Sequence, residues 1–287
     1  MSYLIFELNR YSEKNIFLRN RLKNFILKFM RNVIDDKELV DLLNKKLTDK
    51  EYFNIFLKLD KSRPPKKENL QNINSSRGEK RVQDLLDFVD LELLQELPKY
   101  GNYLDIGSTS ETSITEVMGT TLGFEEGKIF ATDIVDLEML TSNVIFRKCN
   151  GSVLDFPSRS FSFITLFQVL HHMKNLDKML AEISRVCKPN AMIFVREHDL
   201  GDYEYHRTNR DLFKLEHAFC EILLDGKTYD NFANEYWANY KTKEEWVKIF
   251  KKYGFEFLAY KAIDKNNFTN YYYAIYKYVG VDHFNMF

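Results

Sequence analysis

Two short apolar runs, each closing on an acid about one βαβ unit apart, constrain this fold more than any other feature. They are Tyr103-Leu104-Asp105-Ile106-Gly107 and Ile129-Phe130-Ala131-Thr132-Asp133. A buried parallel strand that stops at an acid and a glycine brings its backbone close to a nucleotide-like ligand before a helix begins. The small polar run over 108–113 is where that helix would open. No Gly-x-Gly-x-x-Gly follows the first strand, which argues against a nicotinamide-dependent oxidoreductase.

The rest of the chain alternates around these runs. A helix over 79–97 precedes the strand at 102–106, and a helix over 111–122 precedes the strand at 128–132. Strands follow at 143–148, 161–166 and 190–196, with a helix over 174–187 between the last two. After a helical stretch over 208–238 comes a helix at 242–253, opened by the capping box Thr242/Glu245 and stopped at Gly254. Two aromatic strands, 255–263 and 271–278, close the pattern as a hairpin. The pattern predicts an α/β fold: a doubly wound, seven-stranded, mostly parallel sheet with a C-terminal antiparallel hairpin, plus an N-terminal helical extension. That extension, 1–59, reads as basic helices. Ile16, Phe17, Leu22, Phe25, Ile26, Phe29 and Val33 recur at helical spacing, with Arg19, Lys23, Lys28 and Arg31 between them. Further helices are expected over 36–47 and 49–59. Residues 60–78, with Pro64-Pro65 and a polar run behind them, read as a linker to an α/β domain over 79–287.

Composition excludes several classes. Hydrophobic residues make up 45% of the chain and charged residues 29%, which describes a globular protein and not a disordered one. No apolar run reaches the roughly 18 residues of a membrane span, and the N-terminus does not read as a secretory signal. Cys149, Cys187 and Cys220 are widely spaced, so they read as buried thiols in a reducing, cytoplasmic setting. Few glycines and prolines, beside abundant Asn, Lys, Ile, Phe and Tyr, suggest an A+T-rich coding genome of viral or parasitic type. Residues 1–81 hold 19 Lys or Arg against 11 Asp or Glu, and the remainder holds 22 against 31. The near-neutral total therefore conceals a basic N-terminal third.

Asp105, Asp133, Asn150 and Gln168 all fall at or just past expected strand ends, where an open α/β sheet binds ligands. Asp133 is placed to accept bonds from ribose hydroxyls, and Asn150 precedes Gly151-Ser152, whose amides suit an adenine edge. The plainer alternative for Asp133 and Asn150 is a loop residue capping a helix.

The run from Asp105 to Asp199 resembles the class I S-adenosylmethionine-dependent methyltransferases, in the broad subgroup acting on small molecules, lipids and some RNAs. Asp105, Gly107 and Asp133 match the family's first two strand ends. The segment Asn150-Gly151-Ser152-Val153-Leu154-Asp155-Phe156-Pro157, then Ser160-Phe161-Ser162, matches its third loop and fourth strand. Gln168-Val169-Leu170-His171-His172 and Lys188-Pro189-Asn190-Ala191 match the next two elements. The resemblance covers about 79–279. It implies a Rossmann-like domain with S-adenosylmethionine as cofactor, held by Asp105, Gly107, Ser108, Asp133, Asn150, Gly151, Ser152 and Gln168. The chain departs from the family at Thr109 and Glu111, where glycines are expected, and at Asn150 and Ser162, where aspartates are.

Methyl transfer from a sulfonium needs alignment first, and a base only when the acceptor must lose a proton. Glu197 and His198 end the fifth strand on the substrate side and are the candidate base or orienting groups, with His172 a third. For His171 and His172 the alternative is a structural role at a helix start. His198, His206 and His217 lack the tight spacing of a zinc site, so no metal is expected. The basic N-terminal region suits RNA, an anionic membrane surface, or simply a solvated helix face. Tyr203, Tyr205, Tyr229, Tyr236, Trp237 and Tyr240 are expected to cover a substrate pocket. Two functions follow: a methyltransferase with RNA favoured over a small-molecule substrate, or a degenerate methyltransferase fold serving as scaffold or partner subunit.

Overall fold

A computed structural model describes residues 3–12, 16–30, 33–61, 70–108, 113–136, 143–149, 152–263 and 269–280. Its elements in chain order begin with helices α1 (Leu4–Ser12), α2 (Ile16–Met30), α3 (Asp36–Leu43), α4 (Asp49–Asp60), α5 (Leu70–Leu86) and α6 (Leu91–Tyr100). Then come β1 (Asn102–Ile106), α7 (Ser113–Thr121), β2 (Ile129–Asp133), β3 (Ile145–Lys148) and β4 (Phe161–Phe167). A 3-10 turn, Leu170–His172, leads to α8 (Leu176–Val186) and β5 (Cys187–His198). Helix α9 (His206–Phe219) runs into a π-helical turn, Cys220–Leu224, before α10 (Tyr229–Glu235), α11 (Lys243–Lys252), β6 (Phe255–Ala262) and β7 (Tyr271–Tyr278). No helix among the described residues is long and apolar enough to cross a membrane.

The chain divides into two units. The larger comprises 67–199, 238–263 and 271–287. Its sheet has the order β3-β2-β1-β4-β5-β7-β6. The first five strands in that order are parallel, and β7 pairs antiparallel with both β5 and β6. This is the expected seven-stranded Rossmann-like sheet with an antiparallel C-terminal hairpin. Side chains alternate across each strand, so the sheet has two apolar faces. Leu104, Ile106, Ile164, Ile193, Val195 and Tyr272 pack with α8 and with Trp246 and Phe250 of α11. Tyr103, Phe163, Phe194, Tyr273 and Ile275 pack on the other face, with Val82, Leu85, Leu94, Leu97 and Met118 from α5, α6 and α7. Burying each such large side chain contributes about 1.5–3 kcal/mol.

Two expectations change here. The helix foreseen over 79–97 is two helices, because Asp90 caps α6 by accepting the Glu92 amide at 2.9 Å. The segment foreseen as linker is helical from Leu70 onward. Gly78, read as the linker's end, is instead buried where α5 approaches α7: a Cβ there would stand 2.8 Å from the Val117 Cβ. Pro64 and Pro65 lie outside the described residues.

The smaller unit comprises 1–66, 200–237 and 264–270. Residues 200–237, foreseen as part of the α/β domain, thus cluster with the N-terminal helices. Their shared core is aromatic: Phe219 lies 5.2 Å from Phe25, 5.0 Å from Phe53 and 5.3 Å from Phe56, centroid to centroid. Capping boxes at Asp35/Glu38 and Thr48/Glu51 start α3 and α4. Tyr229 and Tyr236 pack against this core. Tyr203, Tyr205 and Trp237 are exposed. Part of the basic charge is paired, Lys23 with Asp36 at 2.8 Å and Lys50 with Asp230 at 2.5 Å.

Candidate functional site

The strand order reverses between β1 and β4, so a ligand cleft is expected beyond the carboxyl ends of β1, β2 and β4. Gly107 follows β1 at φ 75°, and a Cβ there would meet the Val169 Cγ2 at 2.4 Å. Only glycine satisfies both the left-handed backbone and the contact. The amides of Gly107 and Ser108 donate to the Thr132 carbonyl at 2.8 and 3.0 Å, which fixes the β1 end against β2.

Asp105 is buried. Its Oδ2 accepts from the Thr115 hydroxyl at 2.6 Å and its Oδ1 from the Thr165 hydroxyl at 2.5 Å. Burial pushes its carboxyl up to about 6, against the two hydroxyl bonds that favour the charged form. With both oxygens engaged, Asp105 ties α7 and β4 to the β1 end. Asp133 differs. It is half-buried at the end of β2, and its Oδ1 accepts the Val135 amide at 3.1 Å in an Asx-type turn. Burial raises its pKa too. Ser108 is buried and Ser152 half-buried, while Asn150 and Gly151 lie outside the described residues, as do Thr109 and Glu111. The amide of Cys149 donates to the Asp133 carbonyl at 2.7 Å, so the third loop departs beside that carboxylate.

Gln168 follows β4 at φ 56°. Its amide donates to the Arg196 carbonyl at 2.7 Å, and its Oε1 accepts from the Arg196 guanidinium. Beside it, on the opposite sheet face, lies a group the sequence reading only half identified. Glu197 Oε1 lies 2.5 Å from His171 Nδ1 and accepts the His198 amide at 2.7 Å, while Oε2 accepts the His171 amide at 3.3 Å. Glu197, His171 and His198 are all buried. Tyr240 stacks on His171 at 5.0 Å, and the Tyr271 ring lies 4.6 Å from His198. His172, the residue named as a candidate from sequence, is exposed, whereas its neighbour His171 holds the carboxylate. Strand parity offered a signal: Glu197 shares a face with Ile193 and Val195, and Leu170 folds onto that face. A carboxylate and imidazole so joined can hold or relay a proton, or orient an acceptor.

This sheet order, with a cleft at the ends of β1 and β2, defines a Rossmann-like methyltransferase architecture. A family model described as a methyltransferase domain matches residues 77–260, and the chain belongs to this family, of class I S-adenosylmethionine-dependent type. Curated relatives include ubiquinone/menaquinone biosynthesis C-methyltransferases. The one from Shewanella pealeana is 25% identical over 131 residues, covering 45% of this chain and 50% of the relative. The one from Psychromonas ingrahamii is 28% identical over 99 residues, covering 34% and 37%. This chain thus spans about half the length of the first of these, or less. Among solved structures, YcgJ from Bacillus subtilis is 15% identical, covers 65% of this chain and 96% of its own, and has a TM-score of 0.48. A methyltransferase from Aquifex aeolicus is 19% identical, with coverages of 71% and 98% and a TM-score of 0.43.

The family's cofactor is S-adenosylmethionine. The described residues fit it at two points: a strand-end glycine with no room for a side chain, and Asp133 as a half-exposed carboxylate one strand away.

Proposed function

We propose that this chain transfers a methyl group from S-adenosylmethionine to a small-molecule acceptor. The observation that carries this is the pairing of Gly107 with Asp133 at adjacent strand ends next to the topological switch. Asp133 would accept from the ribose hydroxyls, while Gly107, Ser108, Asn150, Gly151 and Ser152 would line the remainder. When bound, the cofactor supplies an activated methyl group. Glu197, His171 and His198 then orient the acceptor or hold its proton, with His172 at their solvent side. The curated relatives are named for C-methylation in ubiquinone and menaquinone biosynthesis, which favours a small acceptor over RNA. An RNA acceptor rests on the charge of residues 1–81 alone, and reversing exposed Lys28, Lys37 and Lys45 to Glu should leave RNA filter-binding unchanged. Among boundaries, the methyltransferase domain is proposed to lie within 79–287, with 200–237 and 264–270 belonging to the helical unit that also holds 1–59. A reducing, cytoplasmic setting suits its free thiols.

Calorimetry with S-adenosylhomocysteine tests the reading. Wild type should bind it, and Asp133→Ala should bind at least tenfold more weakly. No binding to wild type at millimolar concentration would overturn the reading and favour the degenerate scaffold, which the replacement of glycine by Thr109 and Glu111 suggests.

A further inference from the structure

Arg196, at the end of β5, points to the face opposite Glu197. Arg81 reaches the same place from α5. Charge repulsion from Arg196 adds to burial in lowering the Arg81 pKa, so the two guanidiniums are close enough to sense each other. Aromatic rings hold them: Arg196 lies 4.3 Å over Tyr271, and Arg81 lies 5.6 Å from Phe167 and 5.8 Å from Tyr273. Among the described residues each makes one neutral hydrogen bond, Arg81 Nη1 to the Tyr273 hydroxyl at 2.5 Å and Arg196 Nη1 to Gln168 Oε1. The Nε of each is buried and has no partner among the described residues. The acid whose charge reaches Arg81 is Asp84, and Asp84 already bonds Lys261 at 3.4 Å.

Among the described residues these two half-buried like charges rest on rings and neutral acceptors, with Asp84, shared with Lys261, the acid that reaches Arg81, so they are incompletely compensated. A guanidinium whose Nε–H lacks a partner has hydrogen-bonding capacity left over, and its planar fork matches the two oxygens of a carboxylate or phosphate. The position narrows the occupant, because Phe167 ends β4, Gln168 follows it, and Arg196 lies near the end of the neighbouring β5, next to the switch point. We propose that Arg81 and Arg196 form a receptor for an oxyanion carried by the methyl acceptor, so that the substrate is a small organic anion. The aromatic walls Phe167, Tyr271 and Tyr273 suit an acceptor with an apolar body next to that charge. The proposal rests on the methyltransferase reading for the word acceptor; the anion site itself does not.

The test uses the full chain saturated with S-adenosylhomocysteine, with benzoate, phenyl phosphate and neutral benzamide as probes. The Nε–Hε resonances of Arg81 and Arg196 should shift saturably with benzoate or phenyl phosphate, and not with benzamide or sodium chloride at equal ionic strength. Which anion binds more tightly tells carboxylate from phosphate. Arg196→Gln and Arg81→Gln should each weaken anion binding at least tenfold, while S-adenosylhomocysteine affinity stays within threefold. Equal binding of benzoate and benzamide overturns the proposal. So does an arginine variant that loses S-adenosylhomocysteine in proportion, which would assign the pair to the cofactor. Anion binding by a wild-type chain that ignores S-adenosylhomocysteine upholds the site and refutes the methyltransferase reading.

Discussion

Gly107→Ala isolates the geometry on which the cofactor cleft depends. The new Cβ would lie 2.4 Å from the Val169 Cγ2 and 2.9 Å from the Val169 Cβ, on a residue held at φ 75°. The left-handed backbone alone costs an L-residue about 1–2 kcal/mol. Moving Val169 or the β1 end out of contact costs about 1–3 kcal/mol more. The expected loss is therefore about 2–5 kcal/mol, read from urea unfolding with an unchanged m-value. Val169→Ala removes both Cγ atoms and should cost about 1 kcal/mol by itself. In the double variant it should recover part of the overlap energy and none of the backbone energy, giving a favourable coupling of about 1–2 kcal/mol. Because the Gly107 and Ser108 amides both seat on the Thr132 carbonyl, Gly107→Ala should also weaken S-adenosylhomocysteine binding by the folded fraction. A loss below about 0.5 kcal/mol, or a cycle without coupling, refutes the close approach of Gly107 to Val169.

Asp105 should make the fold less stable as pH rises. Its folded pKa of about 6 lies above its unfolded value, so the folded state keeps the proton longer, and ionisation opposes folding between about pH 4 and 6. Asp105→Asn should therefore gain stability relative to wild type over that window, by up to about 3 kcal/mol; parallel urea-derived profiles at pH 4.5 and 7.5 would contradict this. Glu197→Ala strips an acceptor from the His171 ring and from the His171 and His198 amides. A loss of about 3–5 kcal/mol is expected, and Glu197→Gln should recover much of it; equal losses would show that hydrogen bonding is not its contribution. Ser162 donates to the Leu97 carbonyl at 2.7 Å and is fully buried. Restoring the family's aspartate there should cost about 3–5 kcal/mol by thermal unfolding, and a neutral result would refute the tie between β4 and α6.

Strand ends were legible because they depend on local pattern. Strand β1 falls at 102–106 as its apolar run predicts, and Thr242/Glu245 starts α11 where the capping box stands. What local pattern does not encode is the partner across the fold. Gly78 looked like linker because its meaning lies in Val117, on a different helix. His171 and His172 are adjacent and chemically identical; only the turn after β4 sends one to Glu197 and the other to solvent. Arg81 carries no motif, and its significance comes from Arg196, far away in sequence. The N-terminal helices were foreseen, but their union with residues 200–237 depended on Phe219, whose partners are all distant in sequence.

The replaced glycines of the first loop can be judged by what bounds that loop. Before it, the Ser108 amide is fixed to the Thr132 carbonyl at 3.0 Å. After it, the Thr115 hydroxyl is fixed to Asp105 at 2.6 Å, and Thr165 holds that carboxylate from β4. Both anchors stand whatever residues 109–112 are, so losing glycine there does not by itself dismantle the cleft. What the replacements add in composition is a side chain at Thr109 and a negative charge at Glu111, and the amino-acid end of S-adenosylhomocysteine carries a carboxylate. Two like charges about 4 Å apart in water repel by about 1 kcal/mol, or roughly fivefold in affinity, which sets the scale of the test. Glu111→Gln should therefore strengthen S-adenosylhomocysteine binding roughly fivefold by calorimetry at low salt, with the gain shrinking as salt screens the charge. An unchanged affinity at low salt would show that Glu111 faces away from the cofactor, and would leave bulk at Thr109 as the loop's remaining obstacle.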